Sequence, residues 1–169
     1  MKNKIVLAIL SILMYTQASA QSMSLGFVKN CISYKRETYT DELKKKHFIL
    51  VQDKVETPSN MVLSGASYYS NASKENTAAG EIKVLSLISE KMKITEITFS
   101  SSTYYNNYNV VFKQMVSFFS NQQSFKSKRY KTDVAKFSKD GLFYYAYKNG
   151  EIPVILVTNA KIEEQYFGN

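Results

Sequence analysis

The sequence predicts an α+β fold, an antiparallel sheet of about six to eight strands with helices packed on one face. Three observations carry that reading. Tyr104, Tyr108, Val111, Phe112, Met115, Phe118 and Phe119 recur at spacings of three and four, the apolar stripe of an amphipathic helix. Short β-branched and aromatic runs elsewhere are separated by turn signals. The order is helices, a group of strands, one long helix, then a second group of strands. Such segregation favours strands meeting through hairpins over the crossover helices of a parallel sheet. The same order accommodates one mature domain over 21–169, with diverged helix-then-meander halves at 21–100 and 101–169.

The elements follow from local chemistry. Ser24 is placed to cap a helix whose Leu25, Val28 and Ile32 share a face, with Cys31 beside them. Thr38 and Thr40 are candidate caps for a short helix over 41–46. Asp41 and Glu42 stand near its positive end, and Lys44, Lys45 and Lys46 near its negative end. Residues 47–53 (HFILVQD) read as a strand, and 61–69 as another, weakened at Gly65. Residues 70–80 are small and polar, the composition of an exposed loop. Residues 81–89 and 92–100 read as paired strands joined at Glu90-Lys91. Ile82, Val84 and Ile88 share one face of the first; Ile97 and Phe99 of the second stand opposite Met92 and Ile94.

The long helix is expected over 103–120, as the main core element of the C-terminal half. After it, 125–131 alternates aromatic and basic residues, 134–137 is short, and 142–148 is aromatic-rich. Lys139-Asp140-Gly141 and Asn149-Gly150 are hairpin signals flanking that strand, and 152–158 completes the set. Alternation puts Phe143, Tyr145 and Tyr147 on one face, the expected partner of the long helix. In element order alone the chain resembles the helix-plus-four-strand units of β-lactamase-inhibitor-type proteins. No motif accompanies that likeness, and a shared arrangement implies no function.

Composition bounds the function. Of 169 residues 44% are hydrophobic and 14% aromatic, with six Gly and two Pro, which excludes a disordered or collagen-like chain. One cysteine excludes an internal disulfide framework and a multi-cysteine zinc site. At the N-terminus, Lys2 and Lys4 precede an apolar run over 5–15, and Ala18-Ser19-Ala20 offers the small residues a signal peptidase accommodates. This three-part pattern predicts a cleavable signal peptide over 1–20 and a periplasmic or extracellular protein. The run is shorter than the roughly 20 residues a membrane helix needs. Cys31 sits behind Lys29-Asn30 rather than small residues, which argues against a lipoprotein. The later run 152–157 is short and contains Pro153. Cleavage leaves 20 basic and 14 acidic side chains, a charge of +6, for which solubility alone is an adequate account.

No catalytic pattern stands out. P-loop, dinucleotide-binding, H-E-x-x-H and G-x-S-x-G motifs are absent. Cys31 and His47, each unique, form the tempting nucleophile–base pair, but neither has a local signature. A small buried hydrophobe suits Cys31 better, and a solvated edge residue suits His47. Asp41-Glu42 and Glu163-Glu164 are adjacent rather than facing, and Asp53 with Glu56 falls short of a calcium loop. Asn71-Ala72-Ser73 matches a glycosylation acceptor by its three residues alone. Tyr104, Tyr105, Asn106, Asn107 and Tyr108 suit a sugar platform, although helical spacing assigns Tyr104 and Tyr108 to the core. No cofactor or metal is expected.

One patch points to a partner. Lys126, Lys128, Arg129, Tyr130 and Lys131 form a basic–aromatic segment. As a hairpin strand it would place Lys126, Lys128 and Tyr130 on one face. Cations beside exposed rings bind anionic glycans or lipid headgroups; an edge strand guarded by lysines is the plainer account. Export makes nucleic acid the least fitting partner, and an envelope protein is another. The leading expectation is a small exported, non-enzymatic binding protein. The alternatives are an envelope hydrolase with a noncanonical acid–base site and a self-associating structural envelope protein.

Overall fold

The computed structural model describes residues 23–35, 37–46, 48–52, 64–70, 82–89, 92–100 and 102–168. The expected signal peptide, His47, Asp53, Glu56, the 71–80 loop and the Glu90-Lys91 junction lie outside them.

Among the described residues, three helices precede or divide the strands: α1 (Leu25–Ser33), α2 (Tyr39–Lys44) and α3 (Ser102–Phe118). Ser24 caps α1 as expected, its side chain accepting from the Phe27 N–H. The second helix starts two residues earlier than its charge pattern suggested. Thr38 takes the cap position, but its hydroxyl donates back to the Lys35 carbonyl, and Lys45 and Lys46 fall in the following turn. Lys44 pairs with Asp41 and Lys45 with Glu42 across one turn, so this charge run is a solvated helical face.

The strands are β1 (Phe48–Gln52), β2 (Ser64–Ser70), β3 (Ile82–Ile88), β4 (Lys93–Phe99), β5 (Gln123–Lys126), β6 (Asp133–Lys139), β7 (Leu142–Asn149) and β8 (Ile152–Thr158). They form one antiparallel eight-stranded sheet in the order β1-β2-β3-β4-β8-β7-β6-β5. That order is symmetric about the β4–β8 pair, each half a meander preceded by helical chain. The two tight turns follow their residues. Asp140 and Gly141 have φ of 53° and 76°, as a type I′ turn between Lys139 and Leu142 requires. Gly150, at φ 61°, opens the two-residue turn between Asn149 and Ile152.

Both sheet faces are covered, by different things. The helices lie on one face: Val28, Cys31, Ile32, Leu43, Val111, Met115 and Phe119 join Val84, Ile97, Phe99, Phe137, Tyr144, Ala146, Ile155 and Val157 in one core. Tyr39, from α2, reaches the buried Thr95 hydroxyl on β4 at 3.3 Å. The opposite face carries Leu85, Leu87, Ile94, Val134, Tyr145, Tyr147, Val154 and Leu156. A C-terminal segment ending in a single π-helical turn (Glu163–Phe167) covers it with Ile162, Tyr166 and Phe167.

Two expectations about α3 need correction. Tyr144 and Ala146 face it, with the Tyr144 ring 4.7 Å from Phe119, whereas Tyr145 and Tyr147 point to the other face and Phe143 packs there with them. Aromatic residues occupy both parities of β7 because both faces are buried, so alternation alone does not say which parity meets the helix. Phe118, grouped with the apolar stripe, is 66% exposed. It lies on the flank opposite Phe112, and the sheet-facing arc runs toward Phe112, which stacks on Tyr108 and meets Phe137 edge-on.

Candidate anion-binding turn

The basic segment is a turn, not a continuing strand. Strand β5 ends at Lys126, where the ladder gives way to bonds centred on Ser127, a residue only 1% exposed. The Ser127 N–H donates to the Thr132 carbonyl at 2.9 Å, closing the loop. Its hydroxyl accepts from the Tyr130 N–H at 3.1 Å and donates to the Phe167 carbonyl at 3.0 Å. The Arg129 N–H donates to that same carbonyl at 3.1 Å. Lys131 turns the chain with φ at 54°, a left-handed conformation that ends any strand continuation. A serine that bonds its own backbone three residues on is a turn-forming device. In S-K-R-Y it was the available signal, and sequence reasoning passed over both Ser127 and its distant anchor Phe167.

This geometry separates the five residues singled out. Lys126, Lys128, Arg129 and Lys131 are exposed. Among the described residues no carboxylate forms an ion pair with Lys126, Arg129 or Lys131. Tyr130 leaves their company, because its ring lies 5.0 Å from Tyr147, 6.2 Å from Tyr166 and 6.0 Å from Phe167. It braces the turn from beneath instead of offering a stacking surface, so the expected face shared by Lys126, Lys128 and Tyr130 does not form.

Beneath the turn lies a carboxylate held by phenols. The Tyr147 hydroxyl donates to Glu96 Oε2 at 3.0 Å, and the Tyr166 hydroxyl donates to the same oxygen. Burial, and then the Glu96 charge, hold both phenols well above their ordinary range, so they remain protonated donors. Burial and the same charge also raise Tyr130. This cluster ties β4, β7 and the C-terminal segment together, and through Phe167 fixes the turn.

A second anchor stands nearby. Lys136 on β6 pairs with Glu163 of the C-terminal segment, with the Lys136 ammonium 5.3 Å from the Phe143 ring centre. Burial disfavours the Glu163 carboxylate, but the Lys136 hydrogen bond and charge outweigh it and hold the group below 4.5. A carboxyl depressed in the fold stabilises it above its unfolded pKa, and that contribution fades as pH falls through the folded value. Stability of the native protein is therefore expected to drop on acidification below about 4.5, an unfolded-carboxyl reference. Glu163→Gln should flatten that part of a pH series of urea midpoints; an unchanged acid limb would remove Glu163 from the account.

The other sequence candidates resolve as follows. Cys31 is fully buried, and burial pushes its thiol up to about 12 against a hydrogen bond from Tyr39, leaving no thiolate nucleophile at neutral pH. Tyr108 belongs to the core side of α3, edge-on to Phe99. Among the described residues no group of three or more His, Cys, Asp or Glu is placed to hold a metal ion, and no helix is long and apolar enough to cross a membrane. No protein-family model, curated protein or solved structure matches this chain.

Proposed function

We propose that this chain is an exported, non-enzymatic binding protein that holds an anionic partner on the turn between β5 and β6. One observation supports the reading most: Lys126, Lys128, Arg129 and Lys131 are exposed on a turn whose backbone is braced by Ser127, Tyr130 and the Phe167 carbonyl. A braced turn presents cations without the ordering cost a mobile loop would incur on binding. Acidic glycans and lipid headgroups share the anionic chemistry such a turn attracts, and the export signal fits either. Edge pairing between copies fits less well, because β5 spans four residues and carries Lys126, while β1 has a register shift between Leu50 and Gln52.

The test uses two probes, a sulfated polysaccharide and vesicles containing anionic lipid, each titrated at rising NaCl. Binding should weaken steeply with salt, since the Debye length is only about 8 Å at 0.15 M. At about 1 kcal/mol per cation near an anionic lipid surface, reversing Lys126, Lys128, Arg129 and Lys131 to glutamate should cost more than about a hundredfold in vesicle affinity. Equal binding by the reversed protein would refute the proposal. Export is tested separately, by sequencing the N-terminus of secreted or periplasmic material, where a start at Gln21 is expected.

A further inference from the structure

Away from the basic turn, the start of α1, the end of α3 and the β6–β7 turn frame an open cavity of about 360 Å³. Sites for small molecules run from about 300 to 1,000 Å³ and combine apolar walls with a few convergent polar groups. Here Leu25, Phe118 and Phe119 supply apolar wall, and the exposed Phe118 ring stands at its edge.

The polar side of the cavity is rich in donors. Tyr144 lines it and is 2% exposed, and burial, then the Asp140 charge, hold its phenol above the ordinary range, so its hydroxyl stays a protonated donor. Gln114 accepts from the Leu25 N–H at 2.7 Å, so its amide oxygen is occupied while its N–H groups remain to donate. Lys29 and Lys139 add two ammonium groups. Asp140 lies 3.9 Å from Lys29, in a pair whose side chains are 58% and 63% exposed. So loose a contact contributes little and leaves the Lys29 ammonium able to turn to a ligand.

We propose that this cavity binds a small organic anion, a carboxylate or sulfonate carried on one aryl ring or a short acyl chain. The anionic head takes the Tyr144 hydroxyl and a lysine ammonium, and the body lies against Leu25, Phe118 and Phe119. An anion is favoured over a cation because two ammonium groups, a hydroxyl and an amide face one carboxylate that already has Lys29 beside it. The site is independent of the proposed partner turn.

The probe is 8-anilinonaphthalene-1-sulfonate, titrated by fluorescence against the purified protein, with phenylacetate as competitor. Saturable one-site binding displaced by phenylacetate is expected. Tyr144→Phe should weaken it about tenfold, the worth of a hydrogen bond to a charged group. Lys29→Ala should weaken it severalfold. A Cβ built at Gly26, which also lines the cavity, meets only Ser24 Oγ, at 3.5 Å, so Gly26→Leu should fill the space and abolish binding. If that variant fails to fold, Tyr144→Phe decides. Lys128→Ala, on the distant turn, should change nothing. Non-saturable binding, equal affinity in Tyr144→Phe, or loss of binding in Lys128→Ala overturns the proposal.

Discussion

Phe167→Ala is expected to destabilise the protein by about 3–5 kcal/mol, the cost of emptying a buried phenylalanine site. The ring is fully buried and sits against Phe125, Tyr130, Tyr145, Tyr147 and Tyr166, with centroid separations from 5.1 to 6.0 Å. Few positions join as much of the second core. The loss is a large share of the roughly 5–15 kcal/mol that keeps an ordinary domain folded. It also reaches the turn, because the Phe167 carbonyl accepts from both Ser127 and Arg129. Alanine keeps that carbonyl but not the ring that seats it. Urea unfolding should show the lower midpoint, and amide exchange at Arg129 should accelerate. A loss below about 1 kcal/mol would mean that the C-terminal segment is an ornament on an already stable sheet.

Glu96→Ala should be nearly as damaging, at about 2–4 kcal/mol, although it removes a charged residue. Two buried phenols donate to one oxygen of this carboxylate, and each hydroxyl left without an acceptor costs about 1–3 kcal/mol. Glu96→Gln retains an acceptor oxygen and should recover part of the loss. Tyr147→Phe combined with Tyr166→Phe removes the stranded hydroxyls, so Glu96→Ala should cost less in that background than alone. A double-mutant cycle by urea denaturation measures the difference. Additive losses would show that the phenol–carboxylate bonds contribute nothing beyond packing. Removing the Glu96 charge should also lower the ionisation range of Tyr147 and Tyr166 toward normal while burial keeps it raised, readable by ultraviolet titration.

Much of the architecture was legible in the chain because its signals are local. Ser24 caps through a side chain that reaches three residues on; Asp140-Gly141 turns the chain through its own φ angles. The stripe of Val111, Met115 and Phe119 declares a buried helical face. The opposed faces of Ile97 with Phe99 and of Ile94 with Met92 fall on the two cores as alternation requires. Patterns of this kind depend on helical and strand periods, which are properties of the backbone. The four cations of the candidate turn were visible on the same terms, as side chains with no apolar alternative.

Tertiary structure decided what those periods leave open. Which parity of β7 meets the helices, and hence the positions of Tyr144 and Tyr145, depends on what covers each face. The second cover is a C-terminal segment with no strong periodicity of its own. Ser127 and Phe167 are forty residues apart, and Glu96 and Tyr166 seventy. No local pattern marks partners at such separations, because the fold's long-range pairings bring them together. The cavity beside Tyr144 is decided in the same way, by elements that meet only once the sheet is assembled: the start of α1, the end of α3 and the β6–β7 turn. By itself the sequence determined the elements, their order and the exposed charge. Only the packed sheet decided which polar groups are buried and which of them find partners, because burial is a property of the whole assembly rather than of any segment.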